Sequence, residues 1–269
     1  MKKECLIVIA SFADGYLEEL IKSIKENTTD VDYEIQVVDN HLDEKKIDTL
    51  VREVCKKYDV PFHYDTSITG YGDALNIGVE INNSDSKYVL YMDSDTLVSK
   101  GWLRKMINCY EKHKDEGCYM VGPLVKDFED NYLPGVYELY GEPKDLIGND
   151  LDLVNPYIIG VCILRERATI SEFKWDKNFL KAYWEDNDLY AQVSYLGKKT
   201  FICGDSLMFH KVNSSHETLK SQGINPSMVG AKNKDYFSQK WDFINKKITK
   251  TNPNMVKYTS GEAFKIKNE

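Results

Sequence analysis

The stretch 88–98, YVLYMDSDTLV, decides the fold of this chain. Its first five residues are aromatic or aliphatic, which is typical of a strand buried on both faces of a sheet. The acidic triplet Asp93-Ser94-Asp95 follows directly. Ligands of parallel α/β sheets gather at the carboxyl ends of the strands. The stretch therefore predicts a buried strand that delivers two carboxylates to a binding edge.

Three more strand-and-helix pairs precede this stretch. The predicted strands, each with the helix that follows it, are Cys5–Ser11 with 16–27, 33–38 with 44–58, and 61–64 with 73–82. Four such strands in about 95 residues imply an α/β fold with a doubly wound, mostly parallel sheet. Their carboxyl ends carry polar residues, so a cation or a sugar is the expected ligand.

The second half of the chain is more irregular. Residues 127–155 are rich in Gly, Pro, Asp and Tyr with weak periodicity, and we consider this segment a candidate lid. The other predicted elements are a helix over 101–113, strands over 119–125 and 157–165, a helix over 186–196, and two short strands, 200–203 and 206–210, that flank a turn at Gly204-Asp205.

Composition excludes several classes of function. The chain has 269 residues, 42% of them hydrophobic, and a formal net charge of −8. Such an acidic surface is a poor general binder of phosphate backbones, so we expect no bulk nucleic-acid binding. No apolar run approaches the roughly 18 residues that cross a bilayer, and the apolar run 5–10 is too short for a signal peptide. We therefore expect a cytoplasmic protein.

The charge is uneven along the chain. Residues 230–269 carry nine lysines and four acids, a net charge of +5, which leaves −13 on residues 1–229. Such a tail is typical of a solvated, lysine-rich helix. The alternative is contact with an anionic acceptor or with the inner face of a membrane.

The six cysteines lie far apart and form no C-x-x-C pair. In a cytosolic chain of this size we interpret them as buried or free thiols, not as a disulfide framework or a zinc site.

Asp93 and Asp95 are the strongest candidates for chemistry. Two carboxylates at the end of a buried strand need a partner or a metal ion, and Mg²⁺ or Mn²⁺ bridging to a diphosphate would satisfy them. The alternative is a solvated turn. A third interpretation is the D-x-D-x-T motif of haloacid-dehalogenase-like phosphatases, although there the motif normally ends the first strand of the core.

A second acidic cluster, Glu185-Asp186-Asn187-Asp188, begins a predicted helix. Acids in a first turn are often caps that complement the helix dipole. Alternatively, one of them is a general base, since crowded buried acids raise one another's pKa. His210 follows an apolar run and is either structural or the ligand that completes a metal site with Asp95.

Five stretches, in this order, resemble the GT-A glycosyltransferases of family 2, within them the rhamnosyltransferase-like branch. They span residues 5 to about 241. The stretches are VVDN (37–40), GYGDALNIG (70–78), YMDSDTLV (91–98) with Gly101-Trp102-Leu103, FKWDKNFLKAYWEDNDL (173–189) and NKDYFSQKW (233–241).

The resemblance implies a role for each matching residue. Asp186 would be the catalytic base of an inverting transfer, with Glu185 beside it or on the acceptor. Asp93, Asp95 and His210 would hold Mn²⁺ or Mg²⁺. The nucleotide-sugar, linked to UDP, dTDP or GDP, would contact Ser11, Phe12, Asp39, Asn40, Gly72, Asn76, Asp93 and Ser94. The acceptor would be a hydroxyl, we expect of a saccharide.

The resemblance also implies how the chain is divided. Residues 1–229 would form the glycosyltransferase domain, with a nucleotide-sugar-binding half (1–98) and an acceptor-binding half (99–229), and 230–269 a basic appendage. One departure is Leu75, where the family often has an Arg that contacts the diphosphate. A non-catalytic nucleotide-sugar-binding subunit on the same fold stays an alternative.

Overall fold

The computed structural model describes residues 3–13, 15–129, 131, 148, 150–152 and 160–251. Its strands are β1 (Cys5–Ser11), β2 (Tyr33–Asp39), β3 (Phe62–Tyr64), β4 (Tyr88–Asp93), β5 (Thr96–Val98), β6 (Cys118–Asp127), β7 (Leu151–Asp152), β8 (Cys162–Glu166) and β9 (Lys199–His210). Its α-helices are α1 (Leu17–Asn27), α2 (Glu44–Lys46), α3 (Glu53–Tyr58), α4 (Tyr71–Ile81), α5 (Trp102–His113), α6 (Glu185–Tyr195), α7 (Ser214–Ser221) and α8 (Pro226–Thr251).

One mixed sheet organises the described residues. Its strand order is β3-β2-β1-β4-β8-β6-β9-β5, and β7 pairs with β9. Strands β1 to β4 are mutually parallel, which confirms the doubly wound first half. Strand β8 runs antiparallel to both β4 and β6, and β9 pairs in parallel with β6. The second half is therefore an antiparallel and parallel extension of the same sheet.

Helices cover both faces of the sheet, as the continuous apolar strands predict. All seven residues of β1 are buried. Its odd-numbered residues, such as Ile7, pack with the apolar faces of α1, α3 and α5. Its even-numbered residues, such as Val8, pack with α4 and α6. Because side chains alternate along a strand, each face of β1 contributes to a separate apolar layer.

The predicted helix over 44–58 is present, but it is not uniform. It begins at α2, where the Asp43 carboxylate caps the backbone N–H of Lys45 and Lys46. Residues Ile47–Arg52 form a π-helical turn before α3. The periodicity of apolar residues does not distinguish this π-helical turn from an α-helix, because the helix face with Ile47 and Val51 is still buried.

Strand β9 corrects the prediction of two short strands. It is continuous, and the turn expected at Gly204-Asp205 is instead a bulge. The parallel register with β6 jumps there, from Pro123 opposite Cys203 to Leu124 opposite Leu207. Gly204 and Asp205 are thus extra residues of a bulge within a paired strand.

Two predictions fall partly outside the described residues. Of the strand expected over 157–165, β8 covers the end, and residues 157–159 lie outside the description. The candidate lid over 127–155 begins where β6 ends, and most of it, 132–147, lies outside the description as well.

Helix α8 contains residue 230, where we place the start of the basic appendage. Its side chains Asn233, Phe237 and Trp241 are buried, and the two aromatic ones pack with Phe179 and Ala191. Residues 252–269 lie outside the described part of the chain. Within the described residues, no helix combines the length and apolarity needed to span a membrane.

Gly78 brings α4 close to the sheet. A Cβ at this position would lie 2.3 Å from Val8 Cγ1 and 3.2 Å from Val38 Cγ2. Helix propensity favours Ala over Gly by up to about 1 kcal/mol, but overpacking a core costs about 1–3 kcal/mol. Gly78→Ala should therefore lower the free energy of unfolding, measured by chemical denaturation.

The double variant Val8→Ala/Gly78→Ala is the control, because it removes the Val8 methyl group that the new Cβ would meet at 2.3 Å. Its loss of stability should be smaller than the sum of the two single losses. If the two single losses of stability add strictly, the close approach of α4 to β1 does not limit the size of the side chain at residue 78.

Candidate active site

The carboxyl ends of β1, β2 and β4 meet at one edge of the sheet. Ser11 pairs with Asp39 across β1 and β2, and Ala10 pairs with Asp93 across β1 and β4. A cavity of about 520 Å³ opens at this edge. It is lined by Ser11, Phe12, Asn40, Tyr71, Asp93, Ser94, Asp95, Lys181, Tyr183, Trp184, Glu185, Asp186, His210, Asn213, Ser214 and His216, among others.

The three predicted metal ligands come together in this cavity. One ligand atom each of Asp93, Asp95 and His210 lies within 4.8 Å of the others. The antiparallel pairing of β5 with β9 places His210 opposite Thr96 and so beside Asp95. The distance from His210 Nε2 to Asp95 Oδ2 is 3.3 Å. Two carboxylates and an imidazole are a donor set that suits Mn²⁺, and carboxylates alone suit Mg²⁺.

Five of the predicted nucleotide-sugar contacts line the cavity directly: Ser11, Phe12, Asn40, Asp93 and Ser94. Asn40 is fixed by its side-chain amide, which donates to the carbonyl oxygen of Ile68 at 3.0 Å. The Phe12 ring packs edge-on against His41, with 5.6 Å between the ring centroids. These residues form the wall beside β1 and β2.

Asp39 does not line the cavity but lies behind this wall. It is fully buried, and its carboxylate accepts hydrogen bonds from the backbone N–H of Ala13 at 3.0 Å and of His41 at 2.7 Å. Asp39 therefore fixes the two loops that carry Phe12 and Asn40. Its predicted contact with the nucleotide stays a prediction.

Gly72 and Asn76 also lie away from the cavity. Both face Trp175: a Cβ on Gly72 would lie 2.8 Å from Trp175 Cβ. The Asn76 side chain donates to the Trp175 carbonyl oxygen at 2.7 Å and accepts from its backbone N–H at 3.2 Å. These two residues thus attach the acceptor-side segment to α4.

Glu185 and Asp186 occupy the opposite wall of the cavity, at the start of α6. Burial, and next the neighbouring charge of Asp186, hold the pKa of Glu185 well above its usual range. Burial also raises the pKa of Asp186, against the backbone N–H donors of Asn187 and Gly160. Gly160 lies so close that a Cβ there would be 2.8 Å from Asp186 Cβ. Glu185 is thus buried and Asp186 half-buried, and backbone N–H groups donate to the Asp186 carboxylate.

The residues just before this pair have unusual backbone angles. Lys181, Tyr183 and Trp184 have φ values of 64°, 79° and 74°, in the left-handed region that costs non-glycine residues energy. The buried Asn233 of α8 stabilises this segment. Its side chain donates to the carbonyl oxygens of Leu180, Ala182 and Tyr183 at 2.9–3.0 Å and accepts from the Leu180 N–H at 3.2 Å.

The last acid of the cluster, Asp188, belongs to the interior and not to the cavity. It is fully buried, and Lys240 Nζ and Trp241 Nε1 donate to it at 2.8 and 2.9 Å. Lys240 also donates to Asp176 at 2.7 Å. Two predicted motifs, E-D-x-D and the terminal Lys-Trp, therefore contact each other.

Sequence reasoning missed several residues that line the cavity, and three of them bear on its chemistry. The Tyr71 hydroxyl donates to the Gly160 carbonyl oxygen at 2.9 Å, and burial, with the nearby Asp93 carboxylate, raises its pKa. The Ser214 hydroxyl donates to Asp95 Oδ2. Lys181 forms no ion pair with any described carboxylate. Tyr71 and Lys181 lie inside the quoted stretches 70–78 and 173–189, and this position was the sequence signal that could have identified them. No sequence signal indicated Ser214.

Comparisons with known proteins identify the family and the fold of this chain. Residues 5–173, more than half of the chain, match the model of a protein family described as glycosyl transferase family 2. A comparison with curated protein sequences gives no match.

Two solved structures are similar to this one. A crystal structure of GalNAc-T7 with UDP, GalNAc and Mn²⁺ has a TM-score of 0.60 and 15% sequence identity, over 78% of this chain and 43% of that protein. A crystal structure of residues 1–349 of TarS from S. aureus has a TM-score of 0.58 and 16% identity, over 96% of this chain and 76% of that one. This chain thus spans less than half of the GalNAc-T7 chain.

The similarity of the structures shows the fold, a GT-A type α/β fold. The match over residues 5–173 shows the family. This chain belongs to glycosyl transferase family 2.

Proposed function

We propose that this protein is a metal-dependent, inverting glycosyltransferase that moves a sugar from a nucleoside-diphosphate sugar to an acceptor hydroxyl. One observation carries the proposal: Asp93, Asp95 and His210 line the same cavity as Glu185 and Asp186. A donor held at the first group would therefore present its sugar to the acid pair.

Asp93, Asp95 and His210 would hold Mn²⁺ or Mg²⁺. When bound, the ion neutralises the charge that develops on the leaving diphosphate. The Ser214 hydroxyl, hydrogen-bonded to Asp95, orients that carboxylate in the way that outer partners fix metal ligands. GalNAc-T7, which has a similar fold, was crystallised with UDP and Mn²⁺, and this supports UDP as the first nucleotide to test, ahead of GDP and dTDP.

Asp186 is the better candidate for the base. A base must be ionised before it accepts a proton, and burial and the neighbouring acid oppose ionisation most strongly at Glu185. Asp186 accepts a hydrogen bond from the Asn187 N–H at 2.8 Å, which favours its carboxylate form. Glu185 would then bind the acceptor as a protonated acid.

Direct displacement follows from this assignment. Asp186 removes the acceptor proton while the acceptor oxygen attacks the anomeric carbon, and the bond to the diphosphate breaks on the opposite face. A single displacement inverts the anomeric configuration, by analogy with inverting glycosidases.

Lys181 would supply the positive charge that contacts the diphosphate. Leu75 cannot supply it, because it stands where the family often has an arginine. The Lys181 side chain lines the cavity, and among the described residues no carboxylate neutralises it. Its backbone is held by hydrogen bonds with Thr69 and Tyr71, each at 2.9 Å. This fixed backbone places the lysine at the cavity in advance of binding.

We further propose that the protein works in the cytoplasm and that the lysine-rich residues 230–269 contact an anionic acceptor or a membrane surface. Support for this contact is the net charge of +5 in that segment.

Removing a metal ligand should reduce metal binding. Asp95→Asn should weaken Mn²⁺ binding by at least about tenfold, measured by electron paramagnetic resonance of free Mn²⁺ titrated with the full chain. His210→Gln should weaken Mn²⁺ more than Mg²⁺, because imidazole is a better ligand for Mn²⁺.

His216→Gln is the matched control for the metal site, since His216 lines the cavity outside the triad. It should leave Mn²⁺ affinity unchanged. Equal losses in His216→Gln and Asp95→Asn, or none in Asp95→Asn, would contradict the assignment of the ligands.

Asp186→Asn should abolish transfer and leave donor binding in place. We expect kcat to fall by about 10³-fold, within the range for lost general base catalysis. UDP affinity in the presence of Mn²⁺, measured by calorimetry, should change less than about twofold, because Asp186 does not contact the nucleotide in this proposal.

Asp235→Asn controls for the charge change, since Asp235 is exposed on α8. It should retain full activity. A fully active Asp186→Asn would remove Asp186 from the mechanism, and a wild-type chain that binds nucleotide without any transfer or donor hydrolysis would favour a non-catalytic binding subunit.

Lys181→Met should weaken UDP binding and leave uridine binding unchanged. A charge-assisted hydrogen bond contributes about 1.5–3 kcal/mol, so the loss for UDP should be about tenfold or more. Lys181→Arg should restore most of it. Lys105→Met, at an exposed position of α5, is the control, and an equal loss for UDP and uridine would exclude a phosphate contact.

A further inference from the structure

A second cluster of metal-binding side chains lies away from the donor cavity, between α5 and β9. Cys109 and His113 are four residues apart on α5 and so lie on the same face of the helix. Asp150 directly precedes β7, which pairs with β9. One ligand atom each of Cys109, His113 and Asp150 lies within 4.8 Å of the others.

Cys203 of β9 adds a second thiol to this cluster. The Cys109 and Cys203 side chains are within hydrogen-bond reach of each other, and both are buried in the apolar layer that contains Phe201. The backbone N–H groups of Asp205 and Ser206, in the β9 bulge, donate to the Cys203 sulfur. The bulge thus holds a second buried sulfur beside Cys109.

The imidazole of His113 is oriented as metal-bound histidines are. Its Nδ1 lies 2.9 Å from Glu116 Oε1, and its Nε2 lies 3.1 Å from Asp150 Oδ2. The ring stacks on Phe201 with 4.1 Å between the centroids. A carboxylate on one ring nitrogen fixes the tautomer and turns the other nitrogen towards the metal.

A protonated His113 imidazole would explain why the ring lies between the Asp150 and Glu116 carboxylates. It would not account for two buried thiols beside the same groups. Two sulfurs, one imidazole nitrogen and one carboxylate oxygen are the donor set of a tetrahedral zinc site, and soft sulfur ligands disfavour Mg²⁺ and Mn²⁺.

We propose that Cys109, Cys203, His113 and Asp150 form a structural Zn²⁺ site, distinct from the catalytic metal site. The ion would link α5, β9 and the segment around Asp150, which also contacts β9 through the Gly148 N–H and the Gly204 carbonyl oxygen at 3.1 Å. Lys112, which donates to Asp150 at 2.7 Å, would balance the remaining negative charge of two thiolates, one carboxylate and Zn²⁺. All six cysteines are free and buried, as expected; the proposal goes beyond that expectation at Cys109 and Cys203, and it does not depend on the proposed function.

Elemental analysis tests the site. The full chain, purified without a histidine tag and without added metal, should retain about one zinc ion per chain after gel filtration. Asp95→Asn should retain it too, which separates this site from the donor cavity. Cys109→Ser/Cys203→Ser should lose it, and Cys55→Ser, which removes another buried thiol, should not.

Cobalt provides a second measurement. Co²⁺ supplied in place of Zn²⁺ should give the thiolate-to-cobalt absorption band in wild type and lose it in the double serine variant. Asp150→Asn, a milder change, should weaken Co²⁺ binding at least tenfold with unchanged circular dichroism. Absence of both zinc and the cobalt band in wild type, retention of zinc by the double variant, or a Cys109–Cys203 disulfide by mass spectrometry would overturn the proposal.

Discussion

The register of three buried parallel strands is the constraint on which the cavity depends. Ala10 lies opposite Asp93 and Ser11 opposite Asp39, so the polar ends of β1, β2 and β4 form one edge. A slip of one residue would turn every side chain of a strand to the other face. Gly78 supports this register, because it lets α4 lie directly on Val8. The carboxylates that would bind a metal are therefore placed by apolar packing below them.

The cavity wall that carries Glu185 and Asp186 depends on a different and more distant element, α8. Glu185 is buried and Asp186 half-buried, and their positions follow from a backbone segment with three left-handed residues. Such a segment persists only where its surroundings compensate for the strain. The amide of Asn233 bonds four backbone groups of that segment, and Lys240 fixes the buried Asp188 one turn into α6. Helix α8 does not line the cavity, but its side chains thus hold part of the cavity wall in place.

Local sequence signals predicted the elements that carry chemistry, and non-local pairing decided how they meet. The apolar run before Asp93 and the acids that begin α6 can be recognised within about ten residues. His210 reaches Asp95 only through pairing of β5 with β9, across a bulge that resembles a turn in sequence. The packing roles of Gly72 and Asn76 follow from Trp175, a hundred residues away, and no local pattern indicates them.

The most direct test of the central claim, a metal-dependent nucleotide site at the sheet edge, is the thermal unfolding of the full chain with UDP, GDP and dTDP. Each nucleotide is measured with Mn²⁺ and again with EDTA. We expect one nucleotide to raise the Tm only with Mn²⁺, since a ligand at about 100 times its Kd stabilises the folded state by about 2.7 kcal/mol. No shift with any nucleotide, or equal shifts in EDTA, would contradict the claim.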